Sequence, residues 1–346
     1  MLWWLVLACA TTGGPGAKRP PQPRVPSLHS PNYVHVESLP RDGVVARSWN
    51  HPVDESLAGA AGAVAIALSE RRVVDAQALR WRAILAGYPW PIREARFATA
   101  PFDEAPAELV ATATANLGQD IGLVRARGRE VDHWVLLVGA RLGTLPSTPR
   151  EPVLGQILPF PDLHVFAVAP NGAPVSAPGE LIVDQPGEWL VQLRDNAGPV
   201  ATFPMYVGER TRQTPPFSGV LGAEEAGDLD EELLLRMDAL DRWYDRPAAD
   251  RDPALDAAAR GRLRGFLSGQ PLPAAETQLA AAGFFGGTSG ECRARTVVDC
   301  LDGIWWSLSG HDALAGSWGS IGLAVQTTTD GVAVAVAVAD RGALGR

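Results

Sequence analysis

Near its C-terminal end the chain carries a run that constrains the fold more than any other: Val332, Val334, Val336 and Val338 alternate with Ala333, Ala335 and Ala337. Successive side chains of a strand point to opposite faces, so this strand has one valine face and one alanine face. Neither suits water, and a strand without a polar face has to be covered on both sides. The alanine face is shallow enough for a helix to approach closely. A second strand-like run begins at Ser320, so the pattern predicts a hairpin over 320–340 held between two helical layers. The fold class is α+β, with a C-terminal α/β/α sandwich.

The preceding segment supplies the layers. Leu229, Leu233, Met237, Leu240, Trp243 and Tyr244 recur at helical spacing along one stripe. Asp252-Pro253 opens a second helix running to Ala259, with Asp252 as N-cap and Pro253 at the first helical position. A third begins after Thr296 and places Val297, Val298, Leu301, Ile304, Trp305 and Leu308 on one arc, leaving Asp299, Asp302 and Ser307 outside it.

In order, the segments Asp252 to Arg260, Leu279 to Phe285, Gly290-Glu291, Ser309-Gly310-His311 and Ile321-Gly322-Leu323 resemble the CAP superfamily, the SCP-like extracellular domain. The resemblance covers about residues 228 to 340. It implies a CAP-like sandwich and, in many members, a cleft holding two His and two acidic residues that in some binds a divalent metal. Only Glu291 and His311 match that tetrad. No histidine occurs between Gly261 and Gln270, and two side chains are too few for zinc, which takes at least three protein ligands. The expectation is no metal and no cofactor.

Glu291 and His311, with Ser309 nearby, are the candidate cleft residues. They are read either as a hydrogen-bonded pair across the cleft, as ligand contacts, or as a carboxylate orienting a general-base imidazole. No motif places a nucleophile, so no catalytic residue is assigned. Trp306 falls on the polar face beside Asp299 and Asp302, which marks it as a candidate surface contact for a ligand or another domain.

At the other end, Leu5-Val6-Leu7-Ala8-Cys9 resembles the lipobox of a bacterial lipoprotein. That resemblance implies a signal peptide over 1–8, cleavage before Cys9 and lipid attachment to it. Residues 1–8 lack a positively charged leading region, so either the signal is minimal or the true start lies upstream. Ala10 is not the Asp that retains some lipoproteins in the inner membrane, which favours the outer membrane of the cell envelope. Residues 9–32 form a lipidated Pro/Gly-rich tether, able to reach on the order of 60 Å at about 3.1 Å per residue. No other run approaches the roughly 18 apolar residues of a membrane-spanning helix. The remaining cysteines, Cys292 and Cys300, either pair as a disulfide in an oxidising compartment or stay as buried thiols.

With 346 residues the chain divides into several units. An N-terminal α+β domain over 33–142 has helical patterns at 54–69 and 74–86 and a strand from His133 to Ala140. A domain over 150–209 reads as a small β-sandwich, its strands separated by Asn171-Gly172, Pro186-Gly187 and Asn196-Ala197-Gly198. The CAP-like domain spans 228–340. A repeat links the outer two: Ala86-Gly87-Tyr88 and Ile121-Gly122-Leu123 mirror Ala282-Gly283-Phe284 and Ile321-Gly322-Leu323, so the first domain reads as a diverged copy of the same fold.

His29, His35, His51, His133 and His164 show no metal-ligand spacing. A net charge of −9 and a single lysine, Lys18, exclude a nucleic-acid partner of the ordinary basic kind. These features lead to a non-enzymatic, lipid-anchored envelope protein that meets the membrane through its lipid and binds a lipid, glycan or protein. The alternatives are an envelope hydrolase using Glu291 and His311, and a structural subunit of an envelope assembly.

Overall fold

The structure, a computed structural model, describes residues 54–340 apart from 71–75, 144, 147, 150, 210–214, 218–219, 224 and 285. The lipobox, the tether and His29, His35 and His51 lie outside the described residues. The fold is mixed α+β, with three sheets linked in one chain, antiparallel apart from one two-residue edge strand of the C-terminal sheet that pairs parallel.

The first unit contains α1 (Glu55–Ser69), α2 (Ala76–Leu85), β1 (Ile92–Ala100), α3 (Ala107–Ala115), β2 (Asp120–Arg127) and β3 (Asp132–Gly139), with strand order β1-β3-β2. The C-terminal unit contains α4 (Leu229–Trp243), β8 (Asp250–Arg251), α5 (Pro253–Leu267), α6 (Ala275–Ala281), β9 (Thr288–Ala294), α7 (Val297–Trp305), α8 (His311–Ala315), β10 (Ser320–Thr328) and β11 (Gly331–Ala339). Its order is β8-β10-β11-β9, which repeats that of the first unit with one short strand added.

The repeat extends to individual contacts. Asp54 N–H donates to the Ile121 carbonyl at 2.8 Å, and Asp252 N–H donates to that of Ile321 at 2.9 Å. Each Asp also caps the helix it precedes, Asp54 on Leu57 N–H and Asp252 on Ala254 N–H. Gly122 and Gly322 let these helices rest on the sheet backbone: a Cβ at Gly122 would lie 2.5 Å from the Leu57 carbonyl carbon, and one at Gly322 2.1 Å from that of Leu255. After α2 and α6 the chain turns alike, Tyr88 N–H to Ala83 O and Phe284 N–H to Leu279 O, across Gly87 and Gly283 at φ +94 and +91. That left-handed conformation favours glycine.

Both faces of the Val/Ala hairpin are buried. Ala333, Ala335, Ala337 and Ala339 pack under Leu255, Ala259 and Leu263 of α5 and Leu279 of α6. The valines pack with Leu233, Met237 and Leu240 of α4 and Leu301, Ile304 and Trp305 of α7. Burying one valine or leucine side chain contributes about 1.5–3 kcal/mol, so this double-sided core is the main stabilising element of the unit.

Between the two units lie β4 (Ile157–Val168), β5 (Pro174–Ile182), β6 (Gly187–Asp195) and β7 (Gly198–Val207). Their turn signals predict a two-sheet sandwich, but the strands form one sheet, ordered β5-β4-β6-β7. A second sheet is unnecessary because the outer units cover it: Trp189, Leu190, Val191, Phe203, Met205 and Tyr206 belong to the same core as α1, α2, α4 and α7.

Candidate functional site

The sequence-derived cleft does not form. Glu291 lies opposite Ala335 in β11, on the face covered by α5. There it pairs with the buried guanidinium of Arg262 and accepts a hydrogen bond from Ser289 Oγ at 2.8 Å. His311 begins α8 on the opposite face, its ring 4.8 Å from that of Trp305, a residue of the valine-side core. The sheet separates the two, so they form no acid–base pair, and Ser309 is exposed. The alternation that gives β11 two apolar faces also separates Gly290, which faces Ile304 and Gly310, from Glu291, which faces α5. In the first unit the position of Glu291 is taken by Phe97, opposite Val135.

Trp306 is not exposed either. It is 6% accessible, donates from Nε1 to Asp302 Oδ1 at 3.0 Å, and packs 5.8 Å from Trp81 of α2, with the Arg80 guanidinium 4.0 Å above its ring. Trp81 also meets Trp305 edge-on at 5.3 Å. The polar-face tryptophan is thus an anchor for the first unit. Cys292 and Cys300 are free thiols, with Cys300 Sγ donating to the Val332 carbonyl at 3.9 Å; the influence of each on the other lowers the Cys292 pKa and raises that of Cys300.

Two other places collect polar groups. The first is the buried junction of the middle sheet with the C-terminal unit. Trp305 Nε1 donates to Tyr244 Oη at 3.0 Å, and Tyr244 donates in turn to Glu188 Oε1 at 2.7 Å. Burial, reinforced by the Glu188 charge, pushes the Tyr244 hydroxyl well above its ordinary range and keeps it a donor. His311 Nδ1 lies 2.7 Å from the Trp305 carbonyl, and Nε2 lies 3.4 Å from Glu188 Oε1. Arg246 fixes α8 by pairing with Asp241 at 2.7 Å and donating to the carbonyls of Leu314 and Ala315.

The second is a groove of about 510 Å³ between α2 and β1 of the first unit and β7 of the middle sheet. Leu79, Ile84, Trp90, Ile92 and Val200 form apolar walls, with Arg93 and Glu94 at the rim. Glu94 is paired with Arg96 at 2.7 Å, whereas Arg93 has no charged partner among the described residues. The size suits a small organic ligand.

Sequence reading found His311 through its Gly-His element but missed Glu188, Tyr244 as a polar residue, and Arg93. Glu188 follows the Pro186-Gly187 turn like any strand-opening polar residue, and its partners lie 56 residues and more away. No protein-family model, characterised protein or solved structure matches the chain.

Proposed function

We propose that this protein is a non-catalytic binding protein of the bacterial cell envelope, anchored through an acylated Cys9, which carries a small ligand with an apolar body and an acidic group. The observation that carries this reading is the groove: apolar walls between the first unit and the middle sheet, with the Arg93 guanidinium, which has no charged partner among the described residues, at its rim. A guanidinium matches a carboxylate through two parallel hydrogen bonds. The resemblance to the CAP superfamily, whose members bind lipids, glycans and proteins, supports a binding role, and the lipobox-like start supports the envelope. The separation of Glu291 from His311 removes the pair on which a hydrolase would depend.

Decanoate is a suitable probe, titrated by calorimetry into the full chain. Saturable binding is expected, weakened about tenfold by Arg93→Glu, in line with loss of roughly 1.4 kcal/mol of charge-assisted bonding. Thr202→Trp, which narrows the groove, should abolish it. Absence of saturation, or binding indifferent to both substitutions, would refute the assignment.

A further inference from the structure

The second pocket, of about 140 Å³, lies where the middle sheet meets α4 and α8, and is lined by Glu188, Glu209, Tyr244, His311 and Asp312. Hydrogen-bond inventory defines what it lacks. The Trp305 carbonyl can only accept, so the 2.7 Å contact places a proton on His311 Nδ1. In the neutral ring Nε2 is then an acceptor. It faces Glu188 Oε1 at 3.4 Å, another acceptor, already bonded by Tyr244. Neither His311 Nε2 nor Glu188 Oε2 has a hydrogen-bond partner among the described residues, although the side chains are only 3% and 8% accessible. Two buried, unmet acceptors at one cavity wall are costly unless a donor joins them.

While the ring is neutral, the donor has to supply at least two hydrogens and fit among carboxylates; a proton on Nε2 would instead pair the ring with Glu188 Oε1 and leave only Glu188 Oε2 unmet. A metal ion is disfavoured, because no group of three His, Cys, Asp or Glu among the described residues converges to hold one. An ammonium nitrogen needs no such convergence, since it offers several N–H bonds and a positive charge from one atom. The Arg246 guanidinium stacks 4.7 Å from the Tyr244 ring centroid, but its charge is matched by Asp241. Burial lifts the Asp312 carboxyl above its usual range, and a bound cation would lower it again.

We propose that this pocket binds a small primary ammonium compound, whose nitrogen donates to Glu188 Oε2 and His311 Nε2. The cavity holds about five water-sized groups at about 30 Å³ each, which admits methylammonium or ethanolamine and little more. The volume leaves no room for a phosphoester and its acyl chains beside the amine, so the ligand is a free amine rather than a lipid headgroup.

The test is calorimetry on the full chain with methylammonium, ethanolamine and tetramethylammonium chlorides, together with the ¹⁵N resonance of His311 Nε2. Saturable one-to-one binding of the first two is expected, with a shift of the Nε2 resonance and no response to tetramethylammonium, which has no N–H. Glu188→Gln, which can still accept from Tyr244, should weaken binding at least tenfold. Thr202→Trp, in the separate groove, should leave it unchanged. Absence of both saturable heat and an Nε2 shift in the unmodified chain would overturn the proposal, as would an equal response to tetramethylammonium. Preferential binding to phosphatidylethanolamine vesicles over free ethanolamine would also overturn it.

Discussion

Asp312 follows His311 in α8, and its carboxyl is raised above the ordinary range chiefly by burial. The folded state therefore holds this proton more tightly than the unfolded chain. The Asp312 contribution is most favourable below its unfolded pKa and is lost as pH rises through the higher, folded value. Asp312→Asn should accordingly raise the thermal midpoint at pH 7 and flatten the fall in stability between mildly acidic and neutral pH, as read by thermal denaturation across that interval. An unchanged pH profile would show that water already screens this carboxyl. His311 was legible because a Gly-His element singled it out. Its orientation was not, since the Trp305 carbonyl and Glu188 that hold it come together only when the middle sheet docks.

Among elements, the β10–β11 hairpin shows how far a local pattern reaches. Alternating Val and Ala required cover on both faces, and α5 with α6 on one side and α4 with α7 on the other provide it. β1, α3 and β5 were not legible. β1 and β5 lie at sheet edges with most side chains partly or fully exposed, so neither shows a clean period, and α3 buries only Leu109 and Ala113. The glycines at the helix–strand crossings give the sharper test. Gly322→Ala would place a methyl group against the backbone of α5, where no side-chain rotation relieves it. A loss of about 3 kcal/mol is expected in urea denaturation, the upper end for overpacking. Gly122→Ala should act in the same direction in the first unit. A neutral Gly322→Ala would mean that α5 does not lie on the strand.

For the whole molecule, the decisive contacts are those of Trp81 with Trp305 and Trp306, which lie 224 and 225 positions along the chain yet pack against it, one T-shaped and one tilted. Such a separation leaves no local trace, which is why Trp306 could be read as a contact for a ligand or another domain but not matched to Trp81. Trp81→Ala should cost about 3–5 kcal/mol. It should also convert a single calorimetric transition into two, as the first unit uncouples from the rest. One transition at an unshifted midpoint would show that the middle sheet alone carries the coupling. The tryptophan contact also joins unlike surfaces. The first copy of the repeated unit contributes its second helix, α2, and the second contributes α7, the counterpart of α3. A pair related by a two-fold axis would use the same patch twice and close on itself. This tandem is instead polar, with a head and a tail that differ, so whatever approaches from one end of the molecule meets a different surface from whatever approaches at the other.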